Sequence, residues 1–184
     1  MIKQAEKNKI ENISQLIYDA IHNIANTLTG ENEDKKILQT LDFYVNMDVN
    51  RLSYNNIYTY EIDSKIVAIL VAYSSNDVEK IDKPILDYLK TKDIYLEAFE
   101  QEAYEDEFYI DTISVHPDFQ GRGIAKELFA FAFGKAKELG FKKVSLLVDF
   151  ENPKAKNLYK KVGFEKNSVL TVSQNRFHHM IKTI

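Results

Sequence analysis

The chain has 184 residues, and its 24 basic and 28 acidic side chains give a formal net charge of −4. A chain of this length with 45% apolar residues folds around one core, so we predict one domain over residues 1–184 and exclude disordered or fibrous architectures. The sequence contains no Cys, which excludes disulfide frameworks, thiolate metal sites and a Cys nucleophile.

The location and the macromolecular partners follow from what the sequence lacks. Its first residues do not form the apolar stretch of a secretory signal, and no apolar run approaches the roughly 20 residues that span a bilayer. The acidic balance argues against nucleic acid, because binding to phosphate backbones requires a clustered positive field. We therefore expect a cytoplasmic protein without a membrane or nucleic-acid partner.

Helical and strand-like patterns alternate along the chain, as apolar spacing and β-branched runs indicate. In the first half, the predicted elements are one helix over residues 10–30, a weaker helix around 37–45, hairpin strands 57–62 and 66–73, and a short helix beginning at Lys83 and Pro84. In the second half, they are strand 108–115, a helix from Ile124 to Leu139, strand 143–148, helix 153–162, and strands 164–171 and 177–181. This order indicates an α/β or α+β fold with helices covering a sheet.

The charges are unevenly distributed. Eight acidic residues and no basic residue lie between Asp93 and Asp111, whereas nine lysines outnumber four acids between Lys126 and Lys161. The acidic run has two readings. It is either a solvated loop, as charge runs usually are, or a surface that attracts a positively charged substrate.

A glycine-rich turn, Gln120 to Ala125, lies between a predicted strand and a predicted helix. Free amides and the dipole at such a helix start favour an anion such as pyrophosphate, and Arg122 and Lys126 would add charge-assisted contacts. The turn is neither a P-loop, because Gly123 is not followed by Lys and Ser or Thr, nor a dinucleotide fingerprint, because its third small residue is missing.

Two motifs carry a resemblance to a known family. The run 109–125 resembles the acetyl-CoA signature of the GCN5-related N-acetyltransferases (GNAT superfamily), matched by Gln120, Gly123 and Ala125. The run 151–164 resembles the family's second motif, in which Asn, Ala and Leu-Tyr precede Gly-Phe. The resemblance implies an acyl-CoA N-acyltransferase-like fold, with a mixed, mostly antiparallel sheet of about seven strands flanked by helices. It also implies acetyl-CoA as co-substrate and no metal.

The resemblance further implies which residues bind acetyl-CoA, in a gap where the sheet splays beside strand 108–115. The implied cofactor-binding residues are Ile113, Ser114 and Val115 on the strand, Gln120, Gly121, Arg122, Gly123, Ile124, Ala125 and Lys126 at the turn, and Asn152, Lys156 and Tyr159 downstream. The acceptor would be a primary amine of a small molecule or peptide, and the protein a monomer or homodimer.

Three residues are candidates for the chemistry of acetyl transfer. Without Cys we expect direct transfer in a ternary complex. Asp111 should share a strand face with Tyr109 and Ile113 and could accept the proton of the amine, with Glu107 one step further along the same face. Tyr159 could protonate the departing thiolate. Tyr109 stands where some relatives carry Glu, which leaves the identity of the base open.

Each candidate also has a purely structural interpretation. Tyr159 lies on an apolar helical stripe and can be a core residue, Asp111 can pair locally, and Glu107 can be a solvated charge at a strand end. His178 and His179 should point to opposite faces of a strand and so cannot bind one metal together. The whole domain can also be a non-catalytic acetyl-CoA-binding sensor or scaffold, which tight cofactor binding without turnover would indicate.

Overall fold

The computed structural model describes all residues from 1 to 184, and its centre is a seven-stranded sheet with the strand order β1-β2-β3-β4-β5-β7-β6. The strands are β1 (Ile2–Gln4), β2 (Ile57–Ile62), β3 (Lys65–Ser74), β4 (Phe108–Val115), β5 (Lys143–Asp149), β6 (Glu165–Val172) and β7 (Asn175–Thr183). The helices are α1 (Ile13–Ile21), α2 (Ile24–Thr29), α3 (Asp34–Asn46), α4 (Val78–Lys90), α5 (Ile124–Glu138) and α6 (Pro153–Lys161). The predicted fold class, a mostly antiparallel sheet flanked by helices, is confirmed.

Apolar side chains on both faces of the sheet form two cores. One core packs α1 to α4 against one face, with Ile17, Leu41 and Ile85 fully buried. The other packs α5 and α6 against the opposite face, with Leu128 and Phe129 fully buried. Because it is covered on both faces, the central strand β3 reads as a continuous apolar run rather than an alternating one.

The prediction of one helix over residues 10–30 is wrong in one respect. The helix is broken at His22, which adopts φ 44° and ψ −119°, and α2 then begins at Ile24. The apolar spacing continues across the break, and neither Gly nor Pro marks it, so the pattern alone predicts one helix. The bend between α1 and α2 lies beside the cleft described below.

Helix α4 also begins earlier than predicted. It starts at Val78, so Pro84 lies inside the helix rather than in its first turn. Pro lacks an N–H, and its position therefore removes one intrahelical hydrogen bond. The buried faces of Ile81, Ile85 and Leu89 anchor the helix despite this loss.

Strand β4 contains a bulge at Asp111. Val71 of β3 pairs with Thr112 and Ala72 pairs with Ile110, so Asp111 is an extra residue without its own partner on β3. The bulge keeps Asp111 on the side of Tyr109 but turns Ile113 toward the core under α5. The expectation that Asp111 and Ile113 share a face is therefore wrong, because the two-residue period is interrupted between them.

Strands β4 and β5 separate soon after they meet. They form the only parallel pair of the sheet, and only Phe108 to Ile110 pair with Val144 to Leu146. Beyond this point β5 stays paired with β7, while β4 stays paired with β3. A cleft therefore opens between the two strands. None of the helices is both long and apolar enough to cross a bilayer.

We predict that replacing His22 with Gly stabilises the protein. The backbone conformation of His22 is strained for any residue with a Cβ, and Gly adopts it freely. The free energy of unfolding, measured by urea titration, should rise by about 1 kcal/mol. His22→Ala is the matched control and should bring no gain, because Ala retains the Cβ. A destabilised His22→Gly variant would contradict the assigned strain.

Candidate active site

The cleft between β4 and β5 has two halves, and seven residues line both of them: Ala20, His22, Asn23, Ile113, Asn152, Ala155 and Tyr159. One half, of about 1440 Å³, is lined by the end of β4, the turn before α5 and one side of α6. We call it the amide half. The other, of about 880 Å³, extends to Asp111, Glu102 and the turn between β6 and β7. We call it the carboxylate half.

The amide half presents unpaired backbone donors. None of the amides from Gly121 to Ala125 donates a hydrogen bond within the chain. Gly121 and Gly123 adopt φ values of 76° and 86°, which only Gly adopts freely, and Gly123 caps α5. Lys126 lines the same half and brings a positive charge to it. The donors, the helix dipole and this charge fit a diphosphate group.

Most residues of the predicted cofactor set lie together here, but two side chains do not. Ile113, Ser114, Val115, Gln120, Gly121, Gly123, Ile124, Ala125, Lys126, Asn152 and Tyr159 line the amide half. The Arg122 side chain instead lies over the Phe119 ring and donates to the Asp118 carbonyl at 3.0 Å. The Lys156 ammonium lies 2.7 Å from Nε2 of His178, so it too leaves the cleft. Sequence spacing alone does not distinguish these orientations.

Tyr159 lies where the two halves meet. Its ring packs edge-to-face against Phe129 at 5.5 Å, and its hydroxyl makes no hydrogen bond within the chain. Burial raises the pKa of Tyr159 to about 12, so the phenol keeps its proton at neutral pH. Tyr159 thus belongs to the core, as one interpretation held, and also offers a free proton donor to the cleft.

Asp111 lines the carboxylate half, and its side chain is nearly buried. Its Oδ2 accepts a 2.5 Å hydrogen bond from the Tyr73 hydroxyl, and its Oδ1 accepts one from the Thr112 hydroxyl at 2.8 Å. Burial raises the pKa of Asp111 to about 6, with Glu102 adding to the rise and Arg51 opposing it. A carboxylate with this pKa can accept a proton near neutral pH.

Arg51 is a buried cation that sequence analysis missed. Its side chain is 3% exposed and donates to Asp82 at 2.7 and 2.9 Å and to Glu102 at 2.6 Å. Glu102 also accepts a 2.7 Å hydrogen bond from the Tyr109 hydroxyl. Arg51 lies outside any motif, in the segment between α3 and β2, so no sequence signal indicated its role.

Glu107 is placed apart from the cleft. It is 2% exposed, accepts hydrogen bonds from His179 Nε2 at 2.9 Å and from the Tyr104 amide at 3.0 Å, and lines neither half. Its interpretation as a solvated charge is wrong, because β7 covers it. These contacts tie the start of β4 to β7. They give Glu107 no contact with the space beside Asp111 and Tyr159.

The acidic run is partly solvated and partly buried. Glu97 and Glu105 are exposed as the solvated-loop reading expects, whereas Glu102, Glu107 and Asp111 turn inward. The carboxylate half is therefore lined by Glu102 and Asp111 from this run. The positive block of the sequence supplies Lys126, Lys154 and Lys161 to the amide half.

Comparisons with known proteins show to which family the chain belongs. The sequence profile of the acetyltransferase (GNAT) family matches residues 18–164. An N-acetyltransferase from Staphylococcus aureus Mu50 has a crystal structure with a TM-score of 0.81, at 26% identity over 99% of this chain and 100% of that one. Another acetyltransferase crystal structure has a TM-score of 0.82, at 29% identity over 100% of this chain and 99% of that one. The chain belongs to the acetyltransferase (GNAT) family.

Two curated relatives match over shorter segments. The uncharacterized N-acetyltransferase MJ1207 of Methanocaldococcus jannaschii is 44% identical over 61 residues, which are 33% of this chain and 27% of that protein. The uncharacterized N-acetyltransferase YycN of Bacillus subtilis is 31% identical over 71 residues, which are 39% of this chain and 46% of that protein. The matches therefore span less than half the length of either relative. They support an acyltransferase and leave the substrate open.

We predict that Asp111 makes stability depend on pH. Its pKa rises from 3.8 when unfolded to about 6 when folded, so the folded state holds the proton more tightly. The resulting stability is complete below pH about 4 and is lost as the pH rises through about 6, by up to about 3 kcal/mol. The free energies of unfolding of the wild type and of Asp111→Asn, measured by urea titration, should therefore diverge between pH 4 and 7, with the wild type losing stability relative to the variant. A difference in the free energy of unfolding that stays constant over this pH range would contradict the raised pKa.

Proposed function

We propose that this protein is an acetyl-CoA-dependent N-acetyltransferase that moves the acetyl group directly to a primary amine in a ternary complex. The observation that carries the proposal is the position of Tyr159. Its unpartnered hydroxyl lies between a half with free amides and a half with a buried carboxylate. A thioester anchored in the first half would thus meet an amine held in the second.

The residues of the amide half fit the two polar parts of coenzyme A. The free amides from Gly121 to Ala125, together with Lys126, would hold the pyrophosphate. The edge of β4 from Ile113 to Val115 has no strand partner on the cleft side, so it would pair with the amide groups of the pantetheine arm. Asn152 lines the same path, although its Oδ1 also caps α6 through the Ala155 amide.

The side chains supply two of the proton transfers that the reaction requires. Bound acetyl-CoA would supply an activated acetyl carbon, and the new carbon–nitrogen bond forms as the carbon–sulfur bond breaks. Asp111 accepts the proton that converts the bound ammonium to the neutral amine, directly or through water, because its pKa lies near neutrality. The second nitrogen proton leaves to solvent as the amide forms. Tyr159 donates its phenolic proton to the departing sulfur. No acyl-enzyme forms on a thiol, since the chain has no Cys.

The turn between β6 and β7 supports a small acceptor. Ser173 and Gln174 form this turn with φ values of 47° and 66°. The Ser173 hydroxyl lies 3.3 Å from the Thr27 hydroxyl of α2, and the Ser173 amide donates to the Glu100 carboxylate. These contacts join α2 and the β6–β7 turn beside the carboxylate half, which favours a small acceptor over an extended peptide. A small amine, attracted as a cation by Glu102 and Asp111, fits this half better.

A thiol-release assay with acetyl-CoA and a panel of amines tests the proposed function. Amine-dependent release of coenzyme A, with the acetylated amine identified by mass spectrometry, is the expected result. Tight binding of acetyl-CoA without turnover on any amine would instead favour a sensor or scaffold domain. Failure to bind acetyl-CoA at all would contradict both.

We predict that Tyr159→Phe lowers kcat about 100-fold, because the departing thiolate loses its proton donor. The KM for acetyl-CoA and the free energy of unfolding should change little, since the hydroxyl makes no hydrogen bond within the chain. Tyr60→Phe removes a hydroxyl that lines neither half of the cleft and donates to Glu127, and it serves as the matched control. An unchanged kcat in Tyr159→Phe would remove the acid role.

We predict that small cationic amines are acetylated and that extended peptides are poor acceptors. Replacing Glu100 with Gln weakens the contact that holds the turn between β6 and β7, so kcat/KM for a lysine-containing peptide should rise several-fold. Glu97→Gln makes the same change at an exposed position of the same loop and should have no effect. Wild-type kcat/KM that is higher for peptides than for small amines, or that favours anionic amines, would contradict this assignment.

A further inference from the structure

The three carboxylates around Arg51 do not share its charge equally. Asp82 receives two hydrogen bonds, from Nε and Nη2, and Glu102 receives the short bond from Nη1. The Oδ2 atom of Asp111 lies 3.7 Å from the same Nη1, which is beyond hydrogen-bond distance. The guanidinium is thus committed to Asp82 and Glu102.

The remaining contacts of Asp111 are neutral. Tyr73 and Thr112 donate hydroxyl protons to it and bring no positive charge. With all three carboxylates ionised, one guanidinium faces three negative charges, so two remain uncompensated in a buried site. Asp111 has the longest of the three ion pairs with Arg51 and is the member that receives no hydrogen bond from it.

Glu102 stands between Arg51 and Asp111 in this arrangement. Its Oε1 accepts a hydrogen bond from Nη1 of Arg51, and its Oε2 accepts one from the Tyr109 hydroxyl. The two bonds fix the direction of the carboxylate. Without Glu102, Nη1 would have Asp111 as its nearest acceptor. A guanidinium paired bidentately with Asp111 would make that carboxylate a weaker base.

We propose that Glu102 is a positioning residue that keeps Arg51 from pairing with Asp111 and so leaves the Asp111 carboxylate free to accept a proton. This inference rests on the proposed function, in which Asp111 takes the proton of the amine. The acidic run thus contributes to the reaction through Glu102, which acts on Asp111 both through Arg51 and through its own charge.

Other charged or titratable groups face the same space. Tyr73 on β3, Tyr109 on β4 and Asp82 on α4 belong to the buried cluster. Across the carboxylate half lie His22, Asp149, Glu151, Tyr159 and Arg176. All of these stay unchanged when Glu102 alone is replaced, so a shift in the titration of Asp111 reports on Glu102.

The test compares Glu102→Gln and Glu102→Ala with the wild type. Gln keeps the shape of the side chain and removes its charge, whereas Ala also removes the acceptor of Nη1. Carbon-13 NMR of aspartate carboxyl groups, with the Asp111 resonance assigned from Asp111→Asn, gives its titration directly. We expect the pKa of Asp111 to fall by at least about one unit in both variants. Glu105→Gln, an exposed change in the same loop, should leave it near 6.

The pH profile of kcat/KM gives the second readout. In Glu102→Gln the acidic limb should move to lower pH by the same amount as the NMR titration, and the plateau should fall about tenfold because the base is weaker. A titration of Asp111 that stays near pH 6 in both variants would overturn the inference, whatever the activity. Full turnover in Asp111→Asn would instead overturn the proposed base, and with it the catalytic consequence, even where the NMR titration moves.

Discussion

The separation of β4 from β5 is the constraint on which the site depends. Three residue pairs join the strands, and beyond them β4 follows β3 while β5 follows β7. The unpaired edge of β4 and the gap beside it exist because the two strands diverge after Ile110 and Leu146. The bulge at Asp111 lies immediately after the last pair, at the point where the gap begins. One irregularity of the backbone thus places a carboxylate at the closed end of the cleft.

Burying that carboxylate is costly, and the cluster around Arg51 offsets the cost only in part. A buried ion pair gains stability when its remaining hydrogen-bonding groups are satisfied. Here Arg51 donates to Asp82 and Glu102, and the Tyr109 hydroxyl donates to Glu102. Asp111 receives two hydroxyl donors and only a long, 3.7 Å ion pair with Arg51. Burial, together with the charge of Glu102, therefore raises its pKa, as is common at functional sites.

The fold and half of the site could be predicted from the sequence for a clear reason. Strand 108–115 and the turn at Gln120 to Ala125 are each formed by residues that are adjacent in the sequence. The same short segments therefore carry both the motif and the local structure, and the predicted strand bounds agree with the structure. The carboxylate half is not local. Arg51, Tyr73, Asp82 and Glu102 come from separate elements, and only the tertiary fold brings them together. The same limit applies to the bulge, to the break at His22, and to the directions of Arg122 and Lys156.

Tyr109 illustrates the difference. By the resemblance of motifs it stands where some relatives carry Glu, so the motif itself has no acidic residue at that point. The structure shows that the Tyr109 hydroxyl reaches Glu102 at 2.7 Å, so a carboxylate from the preceding loop comes close to the same part of the sheet. Tyr109 within the motif and Glu102 outside it therefore have to be considered as a pair when the acidic groups near the site are identified.

The short seam between β4 and β5 has a mechanical consequence. It is the only strand pairing between β1–β4 and β5–β7, and the buried contact of Glu107 with His179 clasps it on one face. The width of the cleft depends on the angle between the two parts of the sheet, and three residue pairs fix that angle by strand pairing. Glu107 lies outside the cleft and yet helps to set its width through the contact with His179.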